Sequence, residues 1–358
     1  ELYLANVTLG NYCSVDLVYP ANPALNQKKR TETVTQAQLA FQKGEKLCAD
    51  NCRFVSRLNL VPVCGAKRAL YRKCHFESTD DALNGNAVYV GCDFDFYGNR
   101  PIYQATGTGA VFIDCIFRSK IKTMGTEAEQ YLTKEGGQVA LIDCHYETEG
   151  NVPVRVGWTK YPLPSLKCYQ YGVVQNGKPV TLGGDDSEET VQLQGKKALE
   201  AYVFEYEEKR YINIENLLGG SKGWNPPGEP SISKKAGKLR IPTFMQLHTD
   251  REKIAFGEET IHVTANVYLF SGEECQERVD FFLEKSDMVY AELIPESERS
   301  CRIADCNRSE QVKQIVVHGC TESGLEASVA ISVEPFRLPA PELSGEPVMK
   351  KEREIGCV

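Results

Sequence analysis

The sequence contains no long apolar run, no excess of positive charge and no CxxC pair among its repeated cysteines. Because no run approaches the ~18 apolar residues that span a bilayer, we expect no transmembrane helix. The net charge of −8 at pH 7 disfavours a nucleic-acid partner, whose phosphate backbone is also negative. The lack of CxxC spacing weakens a zinc-site interpretation, and no signal peptide is visible.

A short repeat stands out against these absences. Cysteine, any residue and an aromatic recur as NCRF, KCHF, GCDF, DCIF and DCHY, with the cysteines at 52, 74, 92, 115 and 144. The spacings of 22, 18, 23 and 29 residues are typical of a solenoid. Because residues two apart on a strand face the same side, each cysteine and aromatic should be buried, and the mostly polar residue between them should be wet. The repeat therefore predicts a parallel β-helix with internal ladders of cysteine and aromatic side chains.

The character of the sequence changes after the repeats. Residues 1–230 form the predicted β-helix, and residues 231–238 have the composition of a linker. Residues 239–337 hold about six strand-like runs, a number and spacing that suit an immunoglobulin-like β-sandwich. The Pro-rich, charged tail of residues 338–358 indicates another linker, so we expect further domains in a longer chain. The predicted fold class is all-β.

Two stretches of the first domain resemble pectin methylesterases. QAQLAFQKGEKLCADNCRF, residues 36–54, is similar to the family's Gln-Ala strand start followed by an Asn-Cys-Arg-Phe strand. ESTDDALNGNAVYVGCDF, residues 77–94, is similar to its Gly-Thr-Val-Asp-Phe-Ile-Phe-Gly-Asn-Ala stretch, and looser similarity extends over residues 1–230. The resemblance implies a right-handed parallel β-helix that removes methyl esters from polygalacturonate without a metal or other cofactor. It also implies an extracytoplasmic location, whether periplasmic, at the cell surface or secreted.

The resemblance assigns roles to particular residues. Asp81 falls on the nucleophile that attacks the ester carbonyl, and Gln36 falls on an oxyanion-hole glutamine. This chain has Asn59 at the position of the general acid, and Leu58 replaces the second glutamine. The 22-residue intervals from 36 to 58 and from 59 to 81 should stack these sites on adjacent coils. Since an amide has no proton to give up, loss of the acid should slow the reaction by roughly 10²–10⁴-fold.

The cation and the substrate platform also depart from the family's pattern. The family's orienting arginine corresponds to Arg155, one position early, and a slip of one residue turns a strand side chain to the opposite face. Arg100 is a candidate substitute for it. Trp158, Arg100 and Tyr103 are the candidate substrate-binding residues, with Trp158 as a platform for the apolar face of a sugar ring.

Three functions remain open at this stage. The first is ester hydrolysis on methyl-esterified polygalacturonate through Asp81. The second is a non-catalytic relative that binds pectin or another uronic-acid polysaccharide, with the sandwich as a spacer. A third, a polysaccharide lyase, would need a calcium site, for which Asp93 and Asp95 are candidate ligands.

Two further groups of residues have simpler interpretations. His75 and His145 share the wet face of the predicted strands, which we interpret as solvated rather than as a metal site. A disulfide among the second-domain cysteines, at 275, 301, 306 and 320, would need an oxidising compartment, and its pairing stays open.

Overall fold

The computed structural model describes residues 1–11, 16–30, 39–40, 44–56, 66, 68–121, 129–150, 152–158, 166–219, 224–228, 240–255 and 260–335. Within these ranges β-strands dominate, and long parallel sheets run through the N-terminal part. This confirms the all-β prediction and is consistent with a β-helix. The expected linker, residues 231–238, and the tail, residues 338–358, lie outside the described residues.

Two eight-stranded sheets make up most of the N-terminal part. Sheet A contains Leu2–Ala5 (β1), Lys46–Asp50 (β3), Arg68–Arg72 (β5), Ala87–Val90 (β7), Ala110–Ile113 (β9), Gly137–Ile142 (β12), Leu166–Tyr171 (β15) and Thr190–Gln192 (β18). Sheet B contains Thr8–Asn11 (β2), Arg53–Ser56 (β4), His75–Ser78 (β6), Asp93–Phe96 (β8), Ile116–Ser119 (β10), His145–Glu147 (β13), Val174–Gln175 (β16) and Lys178–Pro179 (β17). Neighbouring strands are parallel except for β16 and β17. Successive coils therefore add one strand to each sheet.

A residue with left-handed backbone makes the corner between a sheet A strand and the sheet B strand that follows it. The corner residues, with φ between 50° and 64°, are Asn6, Asn51, Lys73, Gly91, Asp114, Asp143 and Gly172. Glycine, asparagine and aspartate tolerate this conformation best, which explains the residue before cysteine in most copies of the repeat. The corners at Asn6 and Gly172 reveal further copies of the repeat in which valine stands in the place of cysteine.

The aromatic residues of the repeat form the ladder that the sequence predicts. One ladder on sheet B contains Phe54, Phe76, Phe94, Phe117 and Tyr146, whose successive ring centroids are 5.0, 5.0, 5.1 and 4.6 Å apart. A second ladder on sheet A contains Tyr71, Tyr89 and Phe112, at 4.9 and 4.7 Å. Rings of the two ladders meet edge to face, an arrangement that adds about 0.5–1.5 kcal/mol per pair beyond the burial of area.

The repeated cysteines fill the corners behind these rings. All five are buried and unpaired. From the second copy on, each thiol donates a weak hydrogen bond to a main-chain carbonyl of the preceding coil, as Cys92 does to Tyr71 O at 3.4 Å and Cys144 does to Phe112 O at 3.4 Å. Burial raises the pKa of the Cys115 thiol, which keeps that thiol protonated and unreactive. The ladder of thiols is therefore structural.

A third and shorter sheet, sheet C, closes the coils. It contains Gln130–Thr133 (β11) and Val154–Gly157 (β14), which pair in parallel. Isolated bridges from Leu83 to Ile102, and from Ile102 to Thr133, extend it across two earlier coils. Aliphatic side chains from all three sheets meet in one core, so sheet C is held firmly against the aromatic ladders.

Short elements follow the last coil. They are Gly195–Glu200 (α1), the hairpin Val203–Tyr206 (β19) and Lys209–Ile212 (β20), and Ile214–Leu218 (α2), while a 3-10 helix, Pro23–Leu25, lies in an earlier loop. Asn213 caps α2 by accepting a hydrogen bond from Asn216 N at 3.0 Å, and left-handed Gly219 ends that helix. Among the described residues there is no helix with the length and apolar character needed to cross a bilayer.

The C-terminal part contains two mainly antiparallel sheets. One contains Phe244–Thr249 (β21), Ile261–Tyr268 (β23), Glu274–Cys275 (β24), Ala291–Ser297 (β26) and Ser300–Asp305 (β27). The other contains Lys253–Ile254 (β22), Val279–Leu283 (β25), Lys313–Thr321 (β28) and Glu326–Val333 (β29). Alternating burial along β23 and β28 places one face of each sheet in a common core. Cys275, Cys301, Cys306 and Cys320 are unpaired here.

The outer face of sheet A is buried against the rest of the chain. Its side chains Cys48, Leu70, Val88, Val111, Ala140 and Tyr169 belong to the same apolar cluster as α2 and the C-terminal sheets. The Tyr169 hydroxyl donates to Glu326 O at 3.0 Å and accepts from Glu326 N at 3.2 Å. Thr108 Oγ1 donates to Phe270 O at 2.8 Å. The C-terminal sheets and the coils therefore share one continuous core.

Candidate functional site

Sheet C gathers most of the candidate residues on neighbouring coils. Asp81 N donates to Arg100 O at 2.9 Å, and Tyr131 N donates to Asn99 O at 2.8 Å. Tyr131 is in turn the register partner of Arg155. These main-chain contacts place positions 81, 100, 131 and 155 on successive coils, so their side chains share one surface of the stacked coils.

Asp81 lies where its coil enters sheet C. Its φ of 57° is left-handed, a conformation that aspartate tolerates better than most residues and that often accompanies function. Lys134 Nζ lies 3.4 Å from Asp81 Oδ2. The other carboxylate oxygen, Oδ1, is buried and has no hydrogen-bond partner among the described residues. A buried carboxylate oxygen without a donor is costly, which makes Asp81 a candidate for contact with a ligand.

Arg100 is held between a carboxylate and an indole. Its backbone N donates to Asp80 Oδ1 at 2.8 Å, and its Nη2 lies 3.2 Å from Asp80 Oδ2. Its guanidinium carbon lies 4.3 Å from the centre of the Trp158 ring, close enough for a cation–π contact. The carboxylate fixes the guanidinium plane over the indole. Arg100 Nε is buried and unpartnered among the described residues.

Lys134 connects Asp81 to an aromatic ring. Besides its contact with the carboxylate, the Lys134 ammonium lies 5.0 Å from the centre of the Tyr103 ring. Tyr103 is 46% exposed, so one part of its ring faces solvent. The ammonium is shared between a carboxylate and an exposed aromatic platform, and the two groups orient it together.

Arg155 contacts Glu129 instead of Asp81. Arg155 Nε lies 2.7 Å from Glu129 Oε1, and the Tyr131 hydroxyl donates to the other oxygen of the same carboxylate. The hydrogen bonds from Tyr131 and then from Arg155 lower the pKa of Glu129. Burial and this carboxylate raise the pKa of Tyr131 to about 12. Glu129 is therefore ionised near neutral pH and keeps Arg155 in place.

The site combines three cations with two aromatic platforms. The cations are Arg100, Lys134 and Arg155, and each has an acidic partner in Asp80, Asp81 or Glu129. Arginine and lysine have more donors than one partner uses, so the paired cations can still contact an acidic ligand. Such a surface suits a polymer whose units present a carboxylate and a flat apolar ring face.

Four of the site residues predicted from the sequence lie together in the structure. Sheet C brings Asp81, Arg100, Tyr103 and Trp158 to one surface. Gln36, Leu58 and Asn59 lie outside the described residues. Sequence reasoning missed Asp80, Glu129, Tyr131 and Lys134. The only sequence signal for Lys134 is its location beside β11, a strand whose register was not predicted.

The wet face of sheet B forms a network of ion pairs. Arg118 lies 2.6 Å from Asp93 and 3.6 Å from Asp95, and His75 Nδ1 lies 2.9 Å from Asp93 Oδ1. Burial opposes the ionisation of Asp93, but the hydrogen bonds from Arg118 and His75 outweigh it, and the pKa of Asp93 is lowered. The candidate calcium ligands Asp93 and Asp95 are thus engaged by cations. His145 is exposed on the same face, in register with Ile116.

Comparison with models of protein families, with curated proteins and with solved structures returned no match for this chain. The resemblance to pectin methylesterases therefore rests on the residues of the sequence alone.

Proposed function

We propose that this chain is a pectin methylesterase-like protein that acts on a uronic-acid polysaccharide at the surface of sheet C. The observation that carries the proposal is the arrangement around Asp81. Lys134 holds one carboxylate oxygen at 3.4 Å, and the other oxygen is buried without a donor among the described residues. In the family pattern a cation holds the nucleophile, and here Lys134 supplies that cation.

The fold assignment belongs to the same proposal. We take the stacked coils to form a right-handed β-helix and the C-terminal sheets to form an immunoglobulin-like sandwich. The parallel pairing of sheets A and B supports the first assignment. Two packed sheets with alternating burial support the second. The proposed location is extracytoplasmic, because a cell does not take up an intact polysaccharide.

The proposed chemistry starts with attack of the Asp81 carboxylate on the methyl ester carbonyl. This step forms an acyl-enzyme anhydride and expels methoxide, which takes a proton from a water molecule and leaves as methanol. Water then hydrolyses the anhydride, which regenerates Asp81 and releases the uronate. Asn59 can donate a hydrogen bond to the oxyanion but has no proton to supply. We therefore expect slow turnover, reduced by roughly 10²–10⁴-fold relative to an enzyme with a general acid.

A second candidate function is binding of the same polymer without hydrolysis. Its specific support is the stack of Arg100 on Trp158, in which Asp80 also holds the guanidinium. The stack provides a guanidinium for a uronate carboxylate and an indole for the apolar face of a sugar ring. Neither role needs a nucleophile, and the altered Leu58 and Asn59 do not affect it.

The experiment measures methanol release from methyl-esterified polygalacturonate. Wild type should release methanol faster than Asp81→Asn, which removes the nucleophile and keeps the shape of the side chain. Asp280→Asn is the matched control, because this carboxylate is largely exposed in the C-terminal part. Equal rates for wild type and Asp81→Asn would rule out hydrolysis through Asp81.

Binding is measured on the same proteins by isothermal titration with polygalacturonate. Trp158→Ala should weaken binding, and Phe282→Ala, which removes an exposed ring of the C-terminal part, should not. Binding without Asp81-dependent methanol release would establish the second candidate. If wild type binds no uronic polymer and releases no methanol, both candidates are wrong.

A further inference from the structure

A concave surface lies on sheet B, separate from the surface around Asp81. It is a groove of about 750 Å³ between the outer face of the first coils and the loop that runs from Asp16 to Gln27. Such a volume falls in the range of small-molecule and sugar pockets. Arg53 and Glu77, two residues on the wet face of neighbouring coils, also line it.

The loop that covers the groove has a defined structure. A bridge pairs Leu17 with Gln27, and the side chain of Asn26 accepts a hydrogen bond from Tyr19 N at 2.7 Å. Asp16 accepts hydrogen bonds from Lys28 Nζ and Lys29 N, both at 2.8 Å. The groove therefore has a preformed wall, and a ligand would not have to order it.

The loop packs on the floor of the groove at Gly10. The Cδ1 atom of Leu17 lies 3.7 Å from the place where a Cβ at Gly10 would be, an ordinary van der Waals distance, so the loop rests on the backbone of β2. After Leu17 the loop directs apolar side chains toward solvent. Val18 is 69% exposed and Tyr19 is 37% exposed, although both line the groove. These side chains give the wall an apolar face that the core of the protein does not use.

The groove is lined by both donors and acceptors. The Arg53 side chain is 58% exposed, and its Nη2 lies 4.0 Å from Glu77 Oε1, beyond hydrogen-bond distance. The guanidinium therefore keeps donors available to a ligand in the groove that it lines. Glu77, whose side chain is 16% exposed, adds carboxylate acceptors beside them. Sugar hydroxyls both donate and accept, so this pair next to a tyrosine ring matches a pyranose.

The charges around the groove favour a neutral ring over an acidic one. Arg53 is offset by Glu77, and Asp16 is neutralised by Lys28. A uronate or a phosphate would therefore meet a single arginine that already has a carboxylate beside it. Sheet C instead brings three arginine and lysine side chains, each paired with a carboxylate, to its aromatic platforms, so it offers an acidic ligand more donors.

We propose that the groove between sheet B and the loop from Asp16 to Gln27 binds a neutral hexopyranose unit of a polysaccharide. Tyr19 packs on the ring, Arg53 donates to its hydroxyls and Glu77 accepts from them. This site is independent of Asp81, so it can be present whether or not the chain hydrolyses esters.

The probes are β-1,4-galactotetraose and cellotetraose as neutral sugars, and trigalacturonate as the acidic comparison. Binding is measured by saturation-transfer NMR and isothermal titration. Wild type should bind at least one neutral tetraose. Tyr19→Ala and Glu77→Gln should each lower that affinity by about tenfold or more. Tyr171→Ala is the matched control, because this tyrosine is 40% exposed and lies on sheet A.

The outcomes separate this site from the surface around Asp81. Asp81→Asn should leave the affinity for the neutral tetraose unchanged. The proposal is overturned if neither tetraose binds, or if Tyr19→Ala and Glu77→Gln bind as wild type does. It is also overturned if trigalacturonate binds in the groove more tightly than the neutral sugars, as shown by loss of that binding in Tyr19→Ala. Thermal unfolding of each variant verifies that the loop substitutions leave the fold intact.

Discussion

Phe94 lies at the centre of the aromatic ladders, and its removal is the most severe single test of the fold. The side chain is completely buried. Its ring stacks on Phe76 and Phe117 at 5.0 and 5.1 Å and meets Tyr89 and Phe112 at 5.6 and 5.7 Å. Phe94→Ala removes a benzyl group from among rings whose spacing is fixed by strand pairing, so the cavity cannot easily collapse.

The magnitude follows from this geometry. A buried Phe→Ala change costs about 3–5 kcal/mol, and poor collapse places Phe94→Ala near the upper end, at about 4–5 kcal/mol. Phe94→Leu keeps most of the apolar volume and loses the ring contacts, so about 1–2 kcal/mol is expected. Phe282→Ala is the control. That ring is 44% exposed and stacks on His318 at 5.1 Å, so its loss should cost about 1 kcal/mol or less.

The assay is equilibrium unfolding in urea, followed by circular dichroism and by tryptophan fluorescence. The expected order of midpoints is wild type, Phe282→Ala, Phe94→Leu and then Phe94→Ala. The m values should stay similar, because the surface exposed on unfolding changes little. If Phe94→Ala and Phe282→Ala shift the midpoint equally, the ladder is not the main source of stability and the reasoning is wrong.

Two further predictions concern the pH dependence of stability and the left-handed corner residue Lys73. The pKa of His75 is raised, first by the Glu77 carboxylate, 3.8 Å from its Nε2, and then by its hydrogen bond with Asp93, so the protonated ring favours the folded state. This stability is complete below the unfolded pKa of about 6.5 and is lost as pH rises through the higher folded value. The free energy of unfolding should therefore fall as pH rises above about 6.5 in wild type and fall less in His75→Gln; parallel curves would refute this. Lys73→Gly should raise the free energy of unfolding by about 0.5–1 kcal/mol, because glycine accepts the left-handed φ of 50° at this corner. A lower urea midpoint for Lys73→Gly would contradict it.

The repeat of cysteine and aromatic predicted the coils well because each copy combines local and long-range information. Cys92 and Phe94 are two residues apart in the sequence, so a single strand already shows which of its faces is buried. The constant corner then stacks such strands in register. The first and last corners escaped prediction because valine follows Asn6 and Gly172. Val173 is buried as the cysteines are, whereas Val7 is 38% exposed, and the cysteine that marks the repeat is absent from both.

The covered face of sheet A had a sequence signal that the repeat concealed. The runs AVYV, AVFI and VALI are apolar at every position, whereas a strand with one wet face alternates. Both faces of β7, β9 and β12 are indeed buried. Continuous apolar runs therefore indicate that another part of the chain covers this sheet. They do not identify the cover, which the structure shows to include the C-terminal sheets.

The partners around Asp81 could not be predicted because sheet C has no constant period. The segments between the sheet B strands and sheet C differ in length from coil to coil, so a residue's place on sheet C does not follow from the spacing of the cysteines. Lys134 follows Asp81 by 53 residues and still reaches its carboxylate. Arg155 reaches Glu129 instead. The spacing of the cysteines is enough to predict the coils. The ion pairs between coils can be identified only from the structure.

The three sheets differ in what covers their outer faces, and this decides whether their outer residues contribute to stability or are available to a ligand. Sheet A faces an apolar layer and the C-terminal sheets, so its outer residues contribute to stability. Sheet B faces solvent with charges that mostly satisfy one another, and the loop from Asp16 to Gln27 adds the wall of the proposed sugar site. Sheet C carries a carboxylate oxygen at Asp81 without a partner among the described residues, beside cations and two aromatic rings. A substitution on sheet A should therefore change stability before binding, whereas one on sheet C should change binding or turnover at nearly constant stability. That contrast separates a functional Asp81 from a carboxylate that only stabilises its coil, because only the stabilising role would lower the urea midpoint of Asp81→Asn without changing methanol release or polymer affinity.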